Sequence, residues 1–459
     1  MYHLWRCGVE LINMGNEKQS VRSIHYLGSK LRMLDTIKDA IDSVDDSEGT
    51  VCDLFSGSGT VSKYLLQYRD VVSVDIQTYS KVLCEASTQK IEFAQSSDYY
   101  VKEIQTSTLS KKIIEAFTPI TKYEKTCTDR ALNASIESLY EIVELGSIYV
   151  YLHESVSGIS DELKKAIDNA INNLEQLNMA DSPDTMITRY FGGLYYSYEQ
   201  TVLLDCIAAF VFRQSGLLKT KMLAALLSTA SDAVNTVGKQ FAQPLKVKKA
   251  DGTLKSSLKN KIISDRSLDI MAIFKKWLEY YLHIEEFGHS CSVLCEDYQV
   301  ALKKLNRYDV KAVYADPPYT RYHYSRYYHV LETICLRDNP EVSTTFANGS
   351  GGISRAIYRT DRHQSPFCIK SQAELAFEQL FSGVKNLGVP LILSYSPFDA
   401  SKAVTPRLRT IDQLVEMARE YYNHVNIVSP GSFTHSKLNS SELNFESNHE
   451  AELLIVCHN

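Results

Sequence analysis

Short apolar runs and helical periodicities divide this chain into three stretches. At residues 51–52, 71–74, 292–294, 311–315, 389–393 and 452–456, Val, Leu, Ile and Ala form brief runs closed by Gly, Pro or polar residues, as in strands buried on both faces. The first stretch reads strand, glycine-rich turn, helix at 63–69, strand and helix as far as residue 93, the opening of an α/β domain. The middle stretch differs. Its apolar residues recur with helical spacing at 132–143, 161–177, 198–212, 219–237 and 268–284, with few strand signals. The pattern predicts an α/β sheet interrupted by a mainly helical insertion: one half-domain at 21–98, the insertion at 99–288 and the second half-domain at 289–459.

Composition narrows the class. The chain has 459 residues, 44% of them hydrophobic, which excludes a fibrous or wholly disordered protein. Its 49 basic and 55 acidic residues give a net charge of −6, so any nucleic-acid surface must be local. One such surface is the lysine-rich stretch 246–261, where Lys246, Lys248, Lys249, Lys255, Lys259 and Lys261 face the single Asp251 among Gly and Ser, a pattern expected of an exposed basic loop. The ten cysteines form no CxxC pair, which argues for reduced thiols and against a zinc site. No run approaches the roughly 20 apolar residues needed to span lipid, and the N-terminus lacks the basic-then-apolar layout of a secretion signal. The expectation is a soluble cytoplasmic protein with no membrane partner and no metal.

The first chemical signal is Asp53-Leu54-Phe55-Ser56-Gly57-Ser58-Gly59-Thr60, placed after a strand and before a helix. Glycines allow a sharp turn and close backbone approach to a ligand, and a helix N-terminus offers unpaired amides. Asp75 ends the next strand, where a carboxylate can hold ribose hydroxyls. The turn is not GxGxxG, so a pyrophosphate cofactor fits less well than a nucleoside joined to a compact amino acid. S-adenosylmethionine meets that description. A strand-to-helix packing turn, with Asp53 and Asp75 as local caps, is the structural alternative.

The second signal is Asp316-Pro317-Pro318-Tyr319 after the strand ending Val313-Tyr314-Ala315. Consecutive prolines fix the backbone and make a rigid lip at the sheet's carboxyl edge. Such a lip can hold a carboxylate, a carbonyl oxygen and an aromatic ring in fixed relation. That trio suits attack by the exocyclic amine of adenine: Asp316 and the Pro317 carbonyl accept its N–H groups, Tyr319 stacks on the base, and the lone pair is aimed at an electrophilic methyl group.

With these residues in place, the sequence resembles the Dam-like, alpha-ordered group of N6-adenine-specific DNA methyltransferases. The stretch His25-Tyr26-Leu27-Gly28-Ser29-Lys30 is similar to the family's opening motif, which implies cofactor contacts from Tyr26 and Lys30, the lysine meeting the methionine carboxylate. Asp53 to Thr60 matches the cofactor loop, with Phe55 at its aromatic position. Asp75 and Ile76 match the segment that holds ribose and flanks adenine. Cys295-Glu296-Asp297-Tyr298 resembles the segment after the next strand, implying Glu296 or Asp297 beside the cofactor adenine. Asp316 to Tyr319 matches the catalytic motif, and Ser394-Tyr395-Ser396 falls where the family closes the target-base side. The resemblance covers residues 21–95 and 290–458. It implies an S-adenosylmethionine-dependent methyltransferase with a Rossmann-like sheet, a target-recognition domain in the helical insertion, double-stranded DNA as substrate, and a cognate restriction endonuclease or defence subunits as partners.

Further DNA contacts are expected from Arg321, Tyr324 and Arg326 beside the catalytic lip, and from Arg355 and Arg359, with Arg362 and His363, in a Gly- and Ser-containing loop. The alternatives are an RNA adenine methyltransferase, a DNA cytosine-N4 methyltransferase, and an inactive DNA-binding subunit of a restriction complex.

Overall fold

The apolar runs assemble into one twisted sheet. The computed structural model describes residues 22–25, 28, 30–133, 135–318, 323–347, 350–396, 408–429 and 452–459. Among them the sheet strands are β1 (Thr50–Leu54), β2 (Val71–Asp75), β3 (Cys291–Cys295), β4 (Val310–Ala315), β7 (Leu391–Tyr395), β8 (His424–Val428) and β9 (Leu453–His458), while β5 (Thr344–Ala347) and β6 (Ser350–Ile353) form a separate antiparallel hairpin. The sheet order is β3-β2-β1-β4-β7-β9-β8. Strands β3, β2, β1, β4 and β7 run parallel, and β9 runs antiparallel to β7 and β8. This mostly parallel seven-strand sheet is consistent with a methyltransferase fold.

The helices are α1 (Leu34–Asp42), α2 (Thr60–Leu65), α3 (Thr78–Thr88), α4 (Ser97–Thr106), α5 (Thr108–Asn133), α6 (Glu137–Leu145), α7 (Ile148–His153), α8 (Asp161–Gln176), α9 (Met186–Phe191), α10 (Tyr198–Val211), α11 (Gly216–Ala233), α12 (Lys259–Arg266), α13 (Ile270–Leu282), α14 (Tyr298–Lys304), α15 (Tyr324–Tyr327), α16 (His329–Leu336), α17 (Ala373–Leu387) and α18 (Ile411–Arg419). The period of two along the strands sorts side chains to the two sheet faces. Val51, Val71, Ala312, Tyr314 and Ile392 pack with α1 and α2. Cys52, Leu54, Val72, Val313 and Leu393 pack with α14, α17 and α18.

Helices α4 to α13 lie between the paired neighbours β2 and β3 in sequence and share a third core. That core also takes Tyr79, Val82 and Leu83 from α3 and Val330, Leu331 and Ile334 from α16, so the helical block is packed into the sheet domain. At its centre α11 is buried on nearly all sides. Lys221 of α11 donates to the carbonyls of Ala86 (3.0 Å) and Tyr281 (2.7 Å), and its burial lowers its pKa to about 8.

Several element boundaries differ from the sequence expectation. The strand expected at 389–393 starts at Leu391, because Pro390 has no amide to give the ladder; its carbonyl instead accepts from Val313 N at 3.0 Å. The helix expected at 132–143 is split between α5 and α6. Strand β8 was not expected: its pattern of exposed and half-buried positions follows from its place at the sheet edge. Among the described residues no helix is long and apolar enough to cross a membrane.

Candidate functional site

The site is built where β1 ends. Phe55 adopts φ 71°, a left-handed conformation rare for an aromatic residue, and Gly57 and Gly59 follow at φ 54° and 75°. A Cβ on Gly59 would lie 2.9 Å from Cys84 Sγ and 3.0 Å from Cys84 Cα, so glycine is what lets α2 start against α3. Ser56 N donates to Val74 O at 2.9 Å, and the Ser58 and Thr60 hydroxyls lie 3.0 Å apart.

Asp75 ties this loop to the end of β2. Its carboxylate accepts from Gly57 N and from Gln77 N, both at 2.9 Å. Burial raises its pKa to about 6, opposed by those two amide donors. Asp53 has a different setting. It is buried below the loop and accepts from Ser62 N (3.0 Å) and Ser62 Oγ (2.6 Å), so its carboxylate anchors α2 from within the core.

Four adjacent strand ends converge on one cleft. Phe55 comes from β1, Asp75 and Ile76 from β2, Glu296 and Asp297 from β3, and Asp316 and Pro318 from β4. The facing wall contains His323, Tyr324, His363 and Pro366. The Phe55 ring is held by Tyr298 (5.5 Å) and Phe367 (5.4 Å). Asp297 caps α14 by accepting from Gln299 N at 2.9 Å. Glu296 pairs with Lys304 through Oε1, while its buried Oε2 has no partner among the described residues.

Asp316 N donates to Leu54 O at 3.3 Å, which places its carboxylate beside the root of the β1 loop. Lys30 Nζ lies 2.5 Å from Asp316 Oδ2, 2.8 Å from Glu452 Oε1 and 3.2 Å from Gly28 O. Burial raises the Asp316 pKa to about 7; Lys30 opposes the rise and Glu452 adds to it. Sequence reasoning singled out Asp316 and Lys30 but missed Glu452, although an acid directly ahead of the apolar Leu453–Val456 run was a visible signal. It also missed Glu332 of α16, whose two carboxylate oxygens accept from Thr78 N and Tyr79 N at 3.0 Å each and fasten α16 to the start of α3. Tyr26, Tyr319 and Arg321 lie outside the described residues; Pro317 is described but does not line the cleft.

The basic residues separate into different environments. The stretch expected as a loop is a turn closed by the Lys248 to Leu254 bridge, followed by α12. It is ordered this way because Leu245 and Val247 are buried and Val247 N donates to Glu144 Oε1 at 2.9 Å. Lys246, Lys248 and Lys249 are exposed; Lys255, Lys259 and Lys261 are half-buried, and Lys261 pairs with Asp265 at 2.7 Å. The loop expected around Arg355 and Arg359 is likewise packed. Arg355 pairs with Glu144 (2.8 Å) and donates to Leu245 O (2.6 Å). Arg359 is held between Asp338 (2.7 Å) and Asp361 (2.9 Å) with its side chain 3% exposed, so burial and pairing make it an internal brace instead of a surface cation. Arg326 lies 5.0 Å from the centre of the Tyr358 ring.

The chain is 25% identical over 448 residues to the modification methylase LlaI of Lactococcus lactis subsp. lactis, a match covering 94% of this chain and 54% of the relative. It therefore spans about half the length of the curated relative it matches. No solved structure is significantly similar to it. Residues 26–180 and 271–365, which carry the loop, Asp75, Glu296 and Asp316, match the D12 class N6 adenine-specific DNA methyltransferase model, and the chain belongs to that family.

Proposed function

We propose that this protein is a site-specific DNA adenine-N6 methyltransferase that uses S-adenosylmethionine. One observation carries the reading: Asp316, at the end of β4, shares a single cleft with Phe55, Asp75 and Glu296, at the point where the sheet order reverses between β1 and β4. Ligands of open parallel sheets bind at such switch points.

The residues present fit the cofactor. Asp75 retains acceptor capacity for ribose hydroxyls beyond its two amide bonds, and in the same cleft the unpartnered Glu296 Oε2 is a buried acceptor for an amine. Phe55, Ile76 and Asp297 also line the cleft, whereas the Ser56 to Thr60 backbone and Tyr26 are assigned by the family resemblance. S-adenosylmethionine supplies an electrophilic methyl group when bound. Lys30 has its three donors directed at Asp316, Glu452 and Gly28 O, so an additional anion must displace one of these.

For the target base, the chain supplies orientation. Extrusion of one adenine from the duplex brings its amine within reach of Asp316 and the Pro317 carbonyl, with Tyr319 stacking on the ring. Asp316 as carboxylate accepts an N–H bond, aims the lone pair and stabilises positive charge as it develops on nitrogen. Helices α4 to α13 are the proposed target-recognition domain, and the exposed Lys246, Lys248 and Lys249 its phosphate contacts. The name of the LlaI relative supports a role in restriction-modification or phage defence, with a cognate endonuclease as partner, and a DNA substrate fits a cytoplasmic enzyme.

The test is transfer of labelled methyl from S-adenosylmethionine to duplex DNA, followed by mass analysis of the nucleosides. N6-methyladenine is the expected product. N4-methylcytosine, transfer to RNA alone, or cofactor-dependent DNA binding without transfer would each replace this reading with the corresponding alternative. Asp316→Ala should keep cofactor binding and lower transfer on the order of 10²–10³-fold.

A further inference from the structure

Next to His323 and His363, which line the cleft, stand two arginines, Arg326 and Arg362, with no ion pair among the described residues. Arg326 of α15 and Arg362 both lie against the Tyr358 ring, at 5.0 and 5.1 Å from its centre. His323 precedes α15 and lines the cleft, as does His363. The neighbouring Asp361 is engaged by Arg359, as is Asp338. Arg362 Nε and Nη1 are buried with no hydrogen-bond partner among the described residues, and so is His323 Nδ1.

Two guanidinium groups on one ring repel each other, and buried donors without acceptors are costly. The surroundings show that cost. Burial, followed by Arg326, lowers the Arg362 pKa; burial, then Arg362, Arg326 and His363, lowers that of His323. Burial lowers the His363 pKa too, opposed by Asp297. An anion placed between Arg326 and Arg362 would satisfy the orphaned donors and remove the repulsion together. Guanidinium groups suit phosphate oxygens because their N–H groups form a planar fork, and the Tyr358 ring holds both in place through cation–π contact.

We infer that Arg326 and Arg362, behind the cleft-lining His323, form with it a phosphodiester subsite beside the cleft that grips the backbone of the strand whose base enters it. This assignment rests on the proposed function for the identity of the strand, and it makes the subsite part of the extrusion machinery: a backbone fixed here leaves the base free to turn toward Asp316. Arg359, three residues from Arg362, braces the segment from beneath and does not touch the ligand.

The probe is a single-stranded oligonucleotide, whose phosphates reach the cleft without prior extrusion. Its binding should weaken with salt, and the Arg326→Gln/Arg362→Gln variant should reduce the log–log slope by about 0.7 per contact removed, while S-adenosylmethionine binding by equilibrium dialysis stays unchanged. Arg326→Lys/Arg362→Lys should keep the slope. An unchanged slope in the Gln variant overturns the subsite. Should that variant lose cofactor binding through misfolding, the wild-type protein decides: phenylglyoxal modification of Arg326, which is half-buried, mapped by mass spectrometry, should be blocked by the oligonucleotide and not by equimolar inorganic phosphate. Modification that the oligonucleotide fails to block overturns the proposal, and equal blocking by inorganic phosphate shows a free-anion site instead. Adenine methylation by the wild-type protein with neither slope change nor protection removes the subsite alone; slope change and protection without adenine methylation leave the subsite and remove the catalytic reading.

Discussion

Lys30 Nζ lies 2.5 Å from the Asp316 carboxylate and links it to Glu452, 2.8 Å away, so one buried cation holds two carboxylates, one just after β4 and one just before β9. Ser394 Oγ at the end of β7 donates to the same Glu452 oxygen at 3.0 Å. The network joins the opening segment of the chain to its last strand through the proposed catalytic acid. Removing the cation leaves two like charges facing each other, and breaking a buried pair in this way costs roughly 3–5 kcal/mol.

The first prediction follows from that coupling. Asp316 accepts the amine only as a carboxylate, so methyl transfer should fall as pH drops through about 7. Glu452 raises the Asp316 pKa, so Glu452→Gln should move this acid limb to lower pH; Lys30 lowers it, so Lys30→Met should move the limb upward and reduce thermal stability. The pH dependence of single-turnover methyl transfer at saturating cofactor and DNA measures both shifts. A limb that stays in place in both variants removes Asp316 as the titrating group.

A second prediction concerns the β1 loop. Gly59→Ala puts a Cβ within 3.0 Å of the α3 backbone at a residue whose φ is 75°. Left-handed strain costs about 1–3 kcal/mol, and α2 must shift to relieve the contact. Lower thermal stability together with weaker S-adenosylmethionine binding is expected by calorimetry. Loss of stability with unaltered cofactor affinity would confine Gly59 to a packing role.

The parallel strands and the carboxylates at their ends were legible in the sequence because a strand buried on both faces needs a continuous apolar run, and the run ends where the chain turns to the ligand. Val71 to Val74 followed by Asp75 shows the rule. Strand β8 was not legible, since an edge strand need not be apolar throughout. Charge was the least legible property. Arg359 and Arg362 are three residues apart in one segment, yet Arg359 is held by two carboxylates and Arg362 lacks one, a difference set by Asp338, 21 residues away. The pairing of Glu452 was equally hidden, although its position ahead of an apolar run was not, because its partner Lys30 lies more than 400 residues away in sequence.

His329 yields a prediction on stability. Its ring lies in the core against Phe241 O (3.2 Å) and Tyr358 (4.9 Å between centres), and burial lowers its pKa to about 3, with Arg362, Arg359 and Arg326 adding to the effect. The unfolded chain takes up a proton below the ordinary value of 6.5 while the folded protein does not. The stability contribution is therefore fully present above 6.5 and is lost as pH falls from there toward 3, by roughly 3 kcal/mol at pH 4 through linkage. Chemical denaturation across pH 7 to 4 should show a smaller loss for His329→Gln than for the wild-type protein. Parallel curves would show that other groups dominate acid unfolding.

The lysine-rich stretch separates phosphate binding from local pairing. Lys246, Lys248 and Lys249 project from the turn, whereas Lys261 is tied to Asp265 in α12 and shares that carboxylate with Lys239. Each exposed lysine that meets a phosphate releases a counterion, which adds about 0.9 to the salt slope on duplex DNA. Replacing Lys246, Lys248 and Lys249 with Gln should lower that slope and weaken duplex binding across sequences, while leaving cofactor affinity and the identity of the methylated base unchanged. Lys261→Gln should leave the slope near the wild-type value and lower stability by about 0.5 kcal/mol, the usual size for a helix pair four residues apart. Fluorescence anisotropy over a salt series reads the slope. An equal loss from Lys261→Gln alone would show that the helix, and not the exposed turn, faces the DNA backbone.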